Sequence, residues 1–186
     1  MPDEQKIKPM NDTIFKAMVW LYNFADLVSL TNPAKHLANI PLKEGMAVVD
    51  YGCGPGRYTL AVAKLVGPNG KVFAIDSQPL AISIVTKKVA KEGLTNVEAI
   101  LVDFYETGVQ RASIDLVLLI DTLHMISNYD AFFLEIHRIL KQGGILFVYP
   151  EHMKISRVRE IIEGTGLFRI AECKGRDMVV ISKTKQ

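Results

Sequence analysis

Val48-Val49-Asp50-Tyr51-Gly52-Cys53-Gly54-Pro55-Gly56-Arg57-Tyr58-Thr59-Leu60 decides how this chain folds. It opens as an apolar, β-branched run that reads as a buried strand. It turns through Gly52, Gly54 and Gly56, then continues as Thr59-Leu60-Ala61-Val62-Ala63-Lys64-Leu65, a helix pattern that stops at Gly67-Pro68. Strand, glycine-rich turn and helix together predict a ligand-binding βα unit, because glycine lets backbone turn tightly and lie close against a ligand.

The glycine spacing discriminates between ligands. A dinucleotide fingerprint is G-x-G-x-x-G, with a pyrophosphate on the helix N-terminus. Here the third glycine comes one residue early, at Gly56, and Arg57 holds the dinucleotide position. Asp50 stands two residues before Gly52, where a carboxylate repels a pyrophosphate and attracts a cation. S-adenosylmethionine (AdoMet) carries a sulfonium and an ammonium and no phosphate, so the charge pattern favours it over NAD.

The stretch Asp50-Tyr51-Gly52-Cys53-Gly54-Pro55-Gly56 resembles motif I, D-x-G-x-G-x-G, of the class I AdoMet-dependent methyltransferases. Within that superfamily the chain is most similar to the UbiE-like small-molecule branch, from about Gly45 to Tyr149. Leu134-Glu135-Ile136-His137-Arg138-Ile139-Leu140-Lys141-Gln142-Gly143-Gly144 resembles the family's L-x-E-x-x-R-V-L-K-P-G-G segment, with Gln142 in place of proline. That segment specifies fold rather than chemistry, its glycines ending a helix and admitting the fifth strand.

Outward from the glycine turn, strand and helix alternate. Strands are expected at about 46–51, 71–76, 97–102, 114–120 and 144–149, and helices at about 57–66, 79–92 and 129–141. Ile114 to Ile120 is apolar apart from Asp115, as suits a central parallel strand covered on both faces. Repeated βα units predict a Rossmann-like, doubly wound α/β fold with right-handed crossovers. A helix near 153–164 and strands near 167–173 and 177–183, turning at Arg176-Asp177, complete it. The resemblance implies a mostly parallel seven-stranded sheet of order 3-2-1-4-5-7-6 with the last strand antiparallel. Residues 1–10 read as a loose tail. Residues 13–30 read as a helix in which Ile14, Phe15, Met18, Leu21, Tyr22 and Ala25 recur at spacings of three and four, widened by Val19, Trp20 and Phe24. Asn32-Pro33 breaks it. The expected organisation is a tail and helical lid over residues 1–44 and an AdoMet-binding domain over 45–186. The helix also offers a surface for a homodimer, another partner or a membrane.

Ligands of open α/β sheets bind beyond the carboxyl ends of the strands, so strand-end residues are the candidates. Asp76 ends the second strand, 20 residues after Gly56, where a carboxylate accepts both ribose hydroxyls. Ser77 follows along the adenosine edge. By resemblance, Asp103 accepts from the adenine amino group, Phe104 walls the ring, and Ile120 and Asp121 stand at the methionyl ammonium. Tyr58 is within reach of the AdoMet carboxylate, and Trp20 or Tyr22 lines the acceptor pocket. Leu123-His124-Met125 resembles the Leu-His-His of UbiE-like enzymes, which makes His124 a candidate base; His152, beside Glu151 after the fifth strand, is a second. Methyl transfer mainly requires alignment of donor and acceptor, and only a neutral hydroxyl or amine also requires proton removal.

Other readings are narrowed by composition. The chain has 186 residues, 49% hydrophobic and 23% charged, and a net charge of +2, which describes one globular domain without the basic surplus of a nucleic-acid binder. No Asn/Asp-Pro-Pro-Tyr follows the fourth strand, against amino methylation of nucleobases or glutamine. Cys53 and Cys173 form no C-x-x-C, and the four histidines form no Cys/His cluster, so no metal site is expected and a cytoplasmic, thiol-reducing setting is. The N-terminus lacks a signal-peptide pattern, and no apolar run reaches the roughly 18 residues of a spanning helix. The expected activity is AdoMet-dependent methylation of a small-molecule acceptor. Its rivals are a NAD-dependent oxidoreductase and a non-catalytic AdoMet-binding protein.

Overall fold

The computed structural model describes residues 7, 9–27 and 37–182, with side chains for all of them except 22–27. The elements are α1 (Asp12–Leu27), β1 (Ala47–Tyr51), α2 (Arg57–Val66), β2 (Lys71–Asp76), α3 (Pro79–Lys91), β3 (Val97–Leu101), β4 (Ile114–Ile120), a 3-10 turn (Leu123–Met125), α4 (Tyr129–Ile139), β5 (Leu140–Tyr149), α5 (Ile155–Gly164), β6 (Phe168–Lys174) and β7 (Asp177–Ser182). The break at Asn32-Pro33, most of the expected tail and the side chain of Tyr22 fall outside the described residues.

Seven strands form one sheet in the order β3-β2-β1-β4-β5-β7-β6. The first five are parallel, and β7 runs antiparallel to both β5 and β6. This is the expected architecture. Alternation along the strands divides the core between the two faces. Val49, Val117, Leu119, Leu146 and Val148 face Phe132, Phe133 and Ile136 of α4 and Val158 and Ile162 of α5. Val48, Leu116, Leu118 and Phe147 face Val62, Ala63 and Val66 of α2. Burying both faces is what makes these strands apolar throughout.

Polar residues inside this frame hold elements together. Buried Asn96 donates Nδ2 to the carbonyls of Ala63 and Gly67, at 2.8 and 2.9 Å, closing the C-terminus of α2. Glu135 accepts from the Thr107 amide at 2.8 Å and the Thr107 hydroxyl at 2.6 Å, and pairs with Arg138 at 2.6 Å. Burial pushes the Glu135 carboxyl up, but the Arg138 and Thr107 hydrogen bonds prevail and hold it below its ordinary value. The Leu134–Gly144 segment thus fastens helix to loop.

Two boundaries differ from expectation. Helix α4 ends at Ile139 and β5 starts at once at Leu140, rather than near residue 144. Leu140 pairs with Ile114, whereas Ile145 pairs with Leu116, so residues 141–144 bulge from β5. Gly143, at φ +71°, shapes this bulge and does not end the helix. Asp115 explains it: one oxygen accepts from the Ala47 amide at 2.9 Å, and the other draws Lys141 to 2.7 Å. The last hairpin turns one residue earlier than expected, at Gly175-Arg176, because Gly175 supplies the positive φ of +59°.

Candidate active site

The strand order reverses between β1 and β4, and a cavity of about 360 Å³ opens beyond their carboxyl ends. Its floor is the glycine turn. The amides of Gly52 and Cys53 both donate to the Ile75 carbonyl, at 2.8 and 3.0 Å, which bends the chain sharply off β1. Gly52 sits at φ +76°, and a Cβ there would lie 2.4 Å from Thr122 Oγ1. Thr122 Oγ1 in turn donates to the carbonyls of Ile120 and Tyr51, at 3.0 and 3.2 Å. The missing side chain lets β1 and β4 close against each other at the floor.

Two carboxylates stand at this floor. Asp50 is buried and accepts from Thr59 Oγ1 at 2.6 Å. Burial raises its pKa to about 6, the Thr59 hydrogen bond opposes the rise, and the charge of Asp76 adds to it. Asp76 accepts from the Gly54 amide through Oδ2 and the Gln78 amide through Oδ1, both at 2.8 Å. Its carboxyl is also raised by burial, against hydrogen bonds from the Gln78, Gly54 and Ser77 amides. Neither acid is ion-paired among the described residues. Ligands that bring positive charge suit such a floor, because they offset the cost of burying two anions.

Most expected site residues meet at the cavity. Gly52, Gly54, Tyr58, Asp76, Ser77 and Ile120 line it, as do Asp121, His124 and His152. Asp50 and Gly56 lie beneath, Gly56 capping α2 at φ +78°. Asp103 and Phe104 are exposed and do not line it. The edge expected of them is taken by the N-terminal segment: Ile7 donates its amide to the Asp103 carbonyl at 2.8 Å, and Gln78 Nε2 donates to the Met10 carbonyl at 2.6 Å. Ile7 and Met10 line the cavity together with Phe15 and Met18 of α1. Trp20 does not reach it and is 68% exposed.

Asp121 is placed differently from its expected role at the methionyl ammonium. Its carboxylate turns toward the loop after β5, with His152 Nδ1 at 2.8 Å from Oδ1 and 2.7 Å from Oδ2. Oδ1 also accepts from the amides of Glu151 and His152, at 3.1 and 3.2 Å. His124 Nδ1 lies 3.6 Å from Oδ1, and the two imidazole rings are tilted at 49° to each other with 4.9 Å between centroids. The Asp121 hydrogen bond raises the His152 pKa. Asp121 itself holds φ +50°, a strained value for a residue with a side chain.

Comparison with known proteins agrees with this geometry. The methyltransferase-domain family matches residues 42–173. A demethylmenaquinone methyltransferase of Geobacillus stearothermophilus is 32% identical over 104 residues, 56% of this chain and 44% of that protein. A sterol 24-C-methyltransferase of Gibberella zeae is 32% identical over 111 residues, 59% of this chain and 29% of its own. The chain spans about half the length, or less, of these curated relatives. Among solved structures, a SAM-dependent methyltransferase from Aquifex aeolicus shares the fold with a TM-score of 0.76 and 27% identity, covering 92% of this chain and 97% of that one. This chain belongs to the methyltransferase-domain family, in its class I, S-adenosylmethionine-dependent form.

Proposed function

We propose that this chain transfers the methyl group of AdoMet to a small, largely apolar acceptor. The observation that carries this reading is the pair of acids, buried Asp50 and half-buried Asp76, under a backbone turn at positive φ. Bound AdoMet supplies an electrophilic methyl on a cationic sulfur. Asp76 keeps lone pairs beyond those engaged by Gly54 and Gln78 and would hold the ribose hydroxyls with them. Asp50 and the Ile120 carbonyl favour the ammonium end, Tyr58 the carboxylate end, and Ser77 the adenosine edge. Ile7 and Met10 cover the side away from the sulfur, and Phe15 and Met18 exclude water, so residues 1–44 act as tail and lid on the 45–186 domain. A dry enclosure suits a displacement in which charge is dispersed or lost.

The acceptor end is bounded by Asp121, His124 and His152, and handling of an acceptor oxygen falls to that group. Apolar walls, and relatives named for demethylmenaquinone and sterol methylation, support an apolar acceptor. The modest charge of +2 supports a reading without nucleic acid, and the free thiols of Cys53 and Cys173 support a cytoplasmic setting. No described helix is long and apolar enough to cross a membrane. Exposed Ile14, Trp20 and Leu21 support a homodimer through the outer face of α1. Sedimentation of Trp20→Glu beside the wild type tests it, and two equally monomeric samples would remove it.

Calorimetry tests the main reading. AdoMet is expected to bind at micromolar concentration, and Asp76→Ala to weaken it roughly 30-fold, as expected for a charge-assisted hydrogen-bonding pair. Unchanged affinity in the variant refutes the ribose assignment. Thermal stabilisation by NADH but not by AdoMet would instead favour the oxidoreductase.

A further inference from the structure

The end of β4 and the loop after β5 bring together three side chains whose chemistry goes beyond holding a nucleoside. One ligand atom each from Asp121, His124 and His152 can be chosen so that all three lie within 4.8 Å of one another. We propose that these residues form a divalent transition-metal site at the acceptor end of the cavity. The proposal deepens the methyltransferase reading, because the metal would sit where the acceptor is expected.

Two imidazoles and a carboxylate are the donor set of zinc, iron, manganese and cobalt sites, and too nitrogen-rich for magnesium or calcium. Binding one ion about 2.0–2.2 Å from each donor would require the three side chains to rearrange around it. Both histidines turn the same nitrogen, Nδ1, toward the Asp121 carboxylate. A hydrogen-bonded His–Asp pair accounts for His152, and His124, 3.6 Å from the same carboxylate, adds a third donor atom to the group.

The carboxylate is oriented before any ion arrives. The amides of Glu151 and His152 fix Oδ1, and the Asp121 amide donates to the Tyr149 carbonyl at 2.7 Å. Such outer contacts keep a ligand pointed at its metal. Backbone at φ +50° is a local cost that a bound ion would offset. Glu151, also at the cavity wall, adds negative charge, Arg176 acts on His152 as a nearby cation, and Arg57 lines the same cavity. His124 and His152 are 34% and 64% exposed on the side chain and line the cavity, so further coordination positions would open toward the acceptor. This is the open arrangement of a catalytic rather than a structural site. The class of acceptor that fits carries an oxygen donor, such as a phenol, an enol or a chelating diol.

The test uses the full chain without an affinity tag and cobalt(II) as probe. One equivalent of Co²⁺ per chain should bind with a visible absorption band and be displaced by Zn²⁺ but not by Mg²⁺. His124→Ala and His152→Ala should each weaken binding at least tenfold, and the double variant should abolish the band. Circular dichroism should be unchanged in these variants, because both side chains are partly exposed. His137→Ala, away from the site, should bind like the wild type. The proposal is overturned if the wild type shows no stoichiometric band at 100 µM Co²⁺, or if the double variant keeps it, or if His137→Ala loses it equally. AdoMet calorimetry on the same samples separates the two readings, since a chain that binds AdoMet but no metal keeps the methyltransferase proposal and loses this one.

Discussion

Arg176, at the tip of the last hairpin, donates Nη1 to the Pro150 carbonyl at 2.6 Å and to the Glu151 carbonyl at 3.0 Å. A turn far along the chain thereby holds the loop that carries His152. Replacing Arg176 by Ala should cost about 1–2 kcal/mol, within the range for hydrogen bonds to a charged donor after discounting for exposure. Amide exchange at Glu151 and His152 should accelerate well beyond that at β1. Equal protection of those two amides in wild type and variant would show that the hairpin does not position the loop.

Gly52→Ala should be severe for two separable reasons. A side chain at φ +76° is strained, and its Cβ would meet Thr122 Oγ1 and Cγ2 at 2.4 and 2.5 Å. Strain and overpacking together suggest a loss of about 3 kcal/mol or more. Adding Thr122→Ala should restore part of it, since the contact with Thr122 Cβ, at 3.0 Å, is the one that stays. If urea midpoints show the two changes to be simply additive, the proposed collision is absent.

Asp50 makes stability depend on pH in a definite direction. Its folded pKa of about 6 lies above the unfolded carboxylate value near 3.9. Between those values the folded state binds more protons, so stability falls as pH rises through the window and levels off above about 6. The difference is roughly 3 kcal/mol, at 1.36 kcal/mol per unit. Asp50→Asn keeps an acceptor for Thr59 and removes the ionisation. The variant should therefore gain on the wild type between pH 4 and 6.5, while its AdoMet affinity falls. A stability difference that stays constant across that range would sink the assignment.

Tyr51 carries a buried hydroxyl with no hydrogen-bond partner among the described residues, its ring packed edge-on to Phe132 at 5.0 Å. An unmet buried hydroxyl is costly and its removal conserves the ring. Tyr51→Phe should leave stability unchanged or raise it by up to about 1 kcal/mol. A loss greater than that in thermal unfolding would mean that the hydroxyl has a bonding role.

The strands and the glycine floor were legible from short-range patterns, namely apolar runs of strand length, glycines at fixed offsets and acids at strand ends, whereas the strand order was implied by the family resemblance. Asp76 lay where its strand ended, and the structure brings it to the floor. Contacts across long separations were not legible in the same way. Ile7 and Met10 sit in a polar stretch with no periodicity, and nothing in their neighbourhood announces that they cover the edge expected of Asp103 and Phe104. Asp121 and His152 are 31 residues apart and meet because β4 and β5 are neighbours. Each histidine read singly is a candidate base, and only their meeting point gives the group its chemistry. Thr122 had one signal available, the need of Gly52 for a partner that fills the space a Cβ would take.

The attachment of the N-terminal segment has a kinetic consequence. If residues 1–44 act as the lid proposed above, exchange of cofactor for product involves peeling back a strap fastened at Ile7 and Met10 by two hydrogen bonds. Loosening that strap, for instance with Gln78→Ala, should quicken departure of S-adenosylhomocysteine in stopped-flow traces more than it alters arrival of AdoMet. Turnover would then be paced by a clasp of a few residues at one end of the chain.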